Sequence, residues 1–214
     1  SGTPNNNIDF SETELTSGKK QQNMIKWTDV NYSSFPDLNY KILKEPVKRI
    51  IAAPSFLQYQ YQNTFLIFTR NTINRFVLEG SASGWAASSS SLIEEKKQYG
   101  LLADRSLMRI GDAVFWLSEV GVVKWDSQWL NLISKNVVNV KIDKDSFAFY
   151  NSINNQYMLH DVDGTTYVYH IDRNMWTKYT GLKVESTGIL TGGSDLDNIN
   201  LVLNSNKIDK FPSE

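Results

Sequence analysis

Asp145-Ser146-Phe147-Ala148-Phe149-Tyr150, Asn151-Ser152-Ile153-Asn154-Asn155, Gln156-Tyr157-Met158-Leu159-His160, Asp161-Val162-Asp163-Gly164, Thr165-Thr166-Tyr167-Val168-Tyr169-His170-Ile171 and then Trp176-Thr177-Lys178-Tyr179 is the stretch that decides the fold. Runs rich in aromatic and β-branched residues alternate with clusters of Asn, Asp, Ser and Gly, which is the signature of strands joined by turns. Asp163-Gly164 is a strong hairpin signal. The stretch therefore predicts a meander of four antiparallel strands.

The same grammar recurs on either side. Phe65-Leu66-Ile67-Phe68, the turn Arg70-Asn71-Thr72 and Ile73 to Leu78 predict a hairpin. So do Ala113 to Ser118, the turn Glu119-Val120-Gly121 and Val122-Val123-Lys124-Trp125, with Met108-Arg109-Ile110 leading in through Gly111-Asp112. Leu201-Val202-Leu203 and Lys207 to Phe211 flank Asn204-Ser205-Asn206 as another. The pairs around Phe65, Phe115, Tyr157 and Val202 recur at about 40 to 50 residues, the spacing of propeller blades. A basic residue followed by an aromatic closes three of them, in Asn74-Arg75-Phe76, Val123-Lys124-Trp125 and Asp209-Lys210-Phe211. One four-stranded sheet cannot cover both its faces, and radial stacking of such sheets does. The expected fold is all-β, a β-propeller or a propeller-like arc of four-stranded blades, with a β-sandwich as the alternative. Residues 1–24 are read as a flexible N-terminal segment and 25–214 as the propeller-like domain, whether whole or part of a longer chain. The polar start Ser1-Gly2-Thr3-Pro4-Asn5-Asn6-Asn7 lacks a signal-peptide pattern. Ser88 to Gln98 is read as a loop or one or two helical turns, and Ser81 to Ser91 as an exposed connection.

Composition narrows the function. The chain has 214 residues, 41% hydrophobic and 21% charged, with six Trp and ten Tyr. With 22 basic and 23 acidic side chains the net charge is −1, so no overall field draws in nucleic acid or an anionic membrane. The absence of cysteine removes disulfides, thiolate metal sites and cysteine nucleophiles. No window approaches the roughly 18 apolar residues that span a bilayer.

Three stretches carry a resemblance. Ile25-Lys26-Trp27-Thr28-Asp29-Val30 with Phe35-Pro36-Asp37-Leu38-Asn39 is one. Leu101-Leu102-Ala103-Asp104-Arg105-Ser106-Leu107-Met108, continuing through Val114 to Ser118 and Gly121-Val122, is the second. Phe147 to Asn151, Gln156-Tyr157 and Trp176-Thr177-Lys178-Tyr179 form the third. In this order they resemble blades of tailed-phage virion proteins, the packaged-DNA stabilisation proteins and the tail-hub or nozzle proteins of short-tailed phages. The resemblance covers Ile25 to Tyr179. It implies a non-enzymatic propeller subunit in a homo-oligomeric ring at the portal or tail, contacting other virion proteins, with DNA passing non-specifically and no membrane. It implies folding in the bacterial host cytoplasm and residence in the virion. No catalytic residue and no cofactor comes with it. Ser81 to Gln98 has no counterpart in that family, and the chain is short for a propeller of about six or seven blades.

The residues that could carry chemistry are few. His160 and His170, the two histidines, are read as sheet-surface residues, with His160 facing Tyr167 if the turn centres on Asp163-Gly164. Asp161-x-Asp163-Gly164 and Asp195-Leu196-Asp197-Asn198 are weak calcium candidates, since carboxylates two apart can converge on a hard cation. Lys19-Lys20, Lys48-Arg49 and Lys96-Lys97 are read as solvated pairs. Trp125 and Trp129 around one turn suggest a sugar-stacking platform and hence a glycan- or receptor-binding module as the alternative function. Together with Trp85 they are also the expected interface anchors, because Trp is enriched at binding hot spots. A propeller hydrolase with acidic residues near the axis is a third reading. No phosphate loop, HExxH or Gly-x-Ser-x-Gly pattern is present.

Overall fold

The computed structural model describes residues 8–9, 13–14, 20–28, 35, 39–54, 64–78, 92–126, 129–135, 139–181, 184, 186–190, 199–204 and 207–210. Among them the chain is all-β. Antiparallel strands form six sheets, the largest four-stranded, and one turn of 3-10 helix spans Asp104–Ser106. No described helix is long and apolar enough to cross a membrane. The chain divides into two compact units, Ser1–Leu102 and Ala103–Glu214.

In the first unit, β1 (Ile8–Asp9), β4 (Met24–Trp27) and β5 (Tyr40–Ile42) form one sheet, and β2 (Thr13–Glu14) pairs with β3 (Lys20–Gln21). Strands thus already occur within the first 24 residues, where the sequence shows little pattern; two-residue strands are too short to alternate. β6 (Arg49–Ala52), β7 (Thr64–Phe68), β8 (Thr72–Val77) and β9 (Leu92–Lys97) form a four-stranded sheet in chain order. Ile67 and Phe76 from that sheet meet Ile25 and Trp27 of β4 in one buried cluster, with the Trp27 and Phe76 ring centroids 5.3 Å apart. β9 corrects the expected loop or helical turns. Its apolar residues are too few to bury a helical face, whereas pairing along β8 satisfies its backbone, with a register shift at Ile73/Asn74. Residues 81–91 lie outside the described residues.

The second unit carries two more sheets of the same connectivity. β10 (Met108–Ile110), β11 (Ala113–Ser118), β12 (Gly121–Trp125) and β13 (Leu130–Leu132) form one. β14 (Phe147–Asn151), β15 (Gln156–His160), β16 (Thr165–His170) and β17 (Met175–Thr180) form the next. β18 (Ser186–Leu190), β19 (Ile199–Asn204) and β20 (Lys207–Lys210) follow as a three-stranded sheet. Every predicted strand of the Asp145 to Tyr179 meander is present.

In the β14–β17 sheet, strands β14–β16 carry buried residues on both faces, while β17 is intermediate or exposed throughout. Tyr157, Leu159, Tyr167 and Tyr169 point to one side and pack with Phe115, Leu117 and Val122 of the preceding sheet. Phe147, Phe149, Met158 and Val168 point to the other and pack with Val184. This explains why Gln156 to His160 shows no polar alternation: all five residues are buried.

Candidate functional site

The polar residues of the second unit gather at the two ends of the β14–β17 sheet, on the face that carries Phe147 and Phe149. Directly opposed residues in an antiparallel pair share a face. His160 opposes Phe147 and Thr166, and His170 opposes Gln156 and Met175. The two histidines therefore share a face but sit at opposite ends of their hairpin.

The β15–β16 turn builds the first end. Asp161 N–H donates to the Thr165 carbonyl at 2.9 Å, and Gly164 N–H to the Asp161 carbonyl at 3.2 Å. Gly164 takes φ +82, the left-handed geometry that closes a three-residue loop. The loop is thus one residue longer than a two-residue Asp163-Gly164 turn, and His160 faces Thr166 rather than Tyr167. Asp161 is only 2% exposed. Its Oδ1 accepts from the backbone N–H groups of Asp163 at 2.9 Å and Thr165 at 3.1 Å, and its carboxylate also meets the Tyr167 hydroxyl. Asp163 turns outward to an ion pair with Lys141.

A cavity of about 370 Å³ opens beside this turn, walled by Arg105, Asp145, Phe147, His160, Asp161 to Gly164 and Val184. The Arg105 guanidinium lies over the Phe147 ring, 4.8 Å from its centroid. His160 is 4% exposed. Its Nδ1 is 2.8 Å from Thr166 Oγ1, and its Nε2 accepts the backbone N–H of Val184 at 3.3 Å. An accepting Nε2 places the proton on Nδ1, so the ring is neutral and donates to Thr166. Burial lowers the His160 pKa, opposed by the negative charge of Asp161.

The opposite end holds a chain of buried amides. Asn151 Nδ2 donates to Gln156 Oε1 at 3.2 Å, and Gln156 Nε2 lies 3.1 Å from His170 Nδ1. His170 Nε2 lies 3.0 Å from Thr177 Oγ1. The Asn151 contact orients the Gln156 amide with its nitrogen toward His170, so Nδ1 accepts and Nε2–H donates to Thr177. Two loops of one design close this end. Tyr150 donates to Asn155 Oδ1 at 3.0 Å, and Tyr169 donates to Asn174 Oδ1. Both asparagines take positive φ, +49 and +54, which Asn tolerates better than most residues. Asn155 Nδ2 then reaches Asp172 Oδ1 at 2.5 Å, joining the loops. A cavity of about 240 Å³ lies here, between Ile153, Asn154, Gln156, His170, Asp172 and Arg173. The histidines are thus buried and committed, not displayed on the surface as the sequence suggests. Alternation could not reveal this because β15 and β16, which carry them, are wet on neither face.

The seam between the two four-stranded sheets of this unit is bolted by hydrogen bonds as well as rings. The Phe115 and Tyr157 rings stack with centroids 5.2 Å apart. Tyr157 donates to the Ser106 carbonyl at 3.0 Å, and Trp176 Nε1–H to the Ile133 carbonyl at 3.0 Å. Ser106 Oγ donates to the Ala103 carbonyl at 2.6 Å and accepts Leu117 N–H at 2.8 Å. Ser134 Oγ accepts Val122 N–H at 2.9 Å. Sequence reading missed Ser106, Ser134 and Glu45. Glu45 clamps the β7–β8 turn by accepting from Thr69 Oγ1 at 2.6 Å and from the Asn71 backbone at 3.0 Å and side chain at 2.9 Å. All three hold backbone that is distant in sequence, which leaves no local motif.

Of the expected anchors, Trp85 lies outside the described residues. Trp125 is buried, which corrects its reading as a surface anchor and removes one half of the sugar platform: β12 points it inward with Val123. Trp129 is 67% exposed, its N–H held by Asp126 Oδ1 at 2.9 Å. Val120, Ile153 and Val162 are exposed at the tips of other hairpins. Asp161 and Asp163 are engaged as described and do not converge, while Asp195 and Asp197 lie outside the described residues. Among the described residues no three of His, Asp and Glu form a metal-holding group. Lys48 is no solvated cation; its Nζ donates to the carbonyls of Leu101 and Leu102, both at 2.9 Å. Lys96 lies over the Tyr99 ring. The sequence matches no protein-family model and no curated protein.

Proposed function

We propose that this chain is a structural, non-enzymatic β-propeller-type subunit of a tailed-phage virion, working by surface contact in a ring at the portal or tail. The observation that carries the architecture is the β14–β17 sheet, covered on both faces within one unit. A two-layer sandwich buries one face of each sheet, whereas a blade in a radial stack buries two. Chain-order connectivity in all three four-stranded sheets supports the same reading, since a Greek key sets non-consecutive strands side by side.

The structural role is supported by how the reactive side chains are used. His160, His170, Asp161 and Ser106 each hold backbone or a neighbouring side chain. The virion assignment rests on the three resembling stretches from Ile25 to Tyr179. Trp129, with Val120, Ile153 and Val162 at other hairpin tips, supplies apolar contact points for neighbouring copies or for another ring. Ring closure needs heterologous contacts that repeat by rotation. Negative-stain images of the purified protein are expected to show rotationally symmetric rings, with the ring fraction reduced by Trp129→Ala. Uniform single-copy particles, unchanged by that substitution, would contradict the reading.

A further inference from the structure

Val184 lies between β17 and β18, so its amide marks the place where the chain leaving the β14–β17 sheet is tied back to it. The tie is His160 Nε2, 3.3 Å away. The same contact seats the Val184 side chain against Phe147, Phe149, Met158 and Val168. A ring nitrogen accepts a hydrogen bond only while it is unprotonated. His160 Nδ1 already carries the proton that Thr166 Oγ1 receives, so a second proton can enter only at Nε2. There it would confront the Val184 N–H with another N–H.

We propose that His160 is a proton-operated latch: as the neutral imidazole it holds Val184 on the sheet, and as imidazolium it releases Val184. This device stands apart from the virion assignment and holds for any role of the chain.

The charged and titratable groups around the ring come from each element packed against it. Asp161 follows it in the turn, with Asp163 paired to Lys141. Asp145 and Arg105 share the cavity wall, and Tyr179 of β17 opposes Thr166. Burial of the ring outweighs the attraction of Asp161, and the pKa of the latched His160 lies below its ordinary value. Released, the imidazole titrates near ~6.5. The released state therefore takes up a proton first as pH falls. Latching is at full strength above about pH 6.5 and weakens below it until the latched pKa is passed, by about tenfold for each unit separating the two values.

The test is amide hydrogen exchange on the full chain at about pH 8 and about pH 5, either side of the free imidazole value, with rates normalised for intrinsic exchange. The expected result is a several-fold loss of protection at Val184 at the lower pH, while β15 and β16 keep theirs. His160→Gln places a non-titrating acceptor at the same edge and should show equal protection at both values. Unchanged protection of Val184 in the wild type, or the same loss in His160→Gln, would overturn the latch. A second measurement needs no variant. Imidazole nitrogen spectra of the wild type should show an unprotonated Nε2 at the higher pH, protonating with the midpoint at which Val184 opens. A proton on Nε2 at the higher pH, or two separate midpoints, would equally overturn it.

Discussion

At the residue scale, small polar groups fix the hairpins. Asp161 satisfies two backbone donors of the β15–β16 loop from a nearly closed site. Asp161→Ala leaves those amides without their acceptor and is expected to lower unfolding free energy by about 1–3 kcal/mol in denaturant titration. Gly121 has φ +128, and an added Cβ would land on Ser134 Oγ. Gly121→Ala should cost about 1–3 kcal/mol or more by the same measurement. The buried phenol of Tyr157 is held neutral: burial raises its pKa far above the ordinary value, and donating to the Ser106 carbonyl favours the same protonated form. Burial raises Tyr169 in the same direction. These phenols favour the folded state fully below the free value of about 10, and that contribution is lost as pH rises beyond it. Absorbance titration should therefore show Tyr157 ionising only with alkaline unfolding, rather than as part of the main tyrosine step. Asp163-Gly164 was legible as a hairpin from composition alone. Its loop length was not, because that depends on the Asp161 carboxylate reaching Thr165.

At the scale of elements, strand existence was legible wherever a run was long and strongly apolar or aromatic, as in β7, β11, β15 and β16. Several of the strands that went unread are short or half-exposed. β5 and β13 have three residues each, and β6 is intermediate or exposed throughout. They exist because a neighbour supplies hydrogen bonds, which no local pattern announces. β9 is the sharper case, since Glu94, Glu95, Lys96 and Lys97 favour helix in isolation, and pairing with β8 overrides that preference. Between sheets, Phe115 is the centre of the seam, within 6.0 Å of Tyr169 and 5.2 Å of Tyr157 by ring centroids. Phe115→Ala should destabilise by about 3–5 kcal/mol, as a large buried truncation does. Tyr157→Phe removes only the bond to Ser106 and should cost about 1–2 kcal/mol. Denaturant midpoints of the two variants check the order.

At the scale of the molecule, the proposed virion role has DNA passing without being gripped, and the net charge of −1 gives no overall attraction to it. Fluorescence anisotropy with duplex DNA is expected to show no tight binding, and a tight affinity falling steeply with salt would count against that role. The repeat was legible in the spacing of Phe65, Phe115 and Tyr157, which fall in four-stranded sheets connected in chain order, while Val202 falls in a sheet of three strands among the described residues. What covers each sheet was not legible, because period-two alternation disappears in strands wet on neither face. The central claim is that the β14–β17 sheet is an inner layer, and nuclear Overhauser contacts test it most directly. The account predicts contacts from the Tyr157 ring to Phe115 and, in the same sample, from the Met158 methyl group to Val184. Contacts on one side alone, with the other exposed to solvent, would place that sheet in a two-layer sandwich and contradict it.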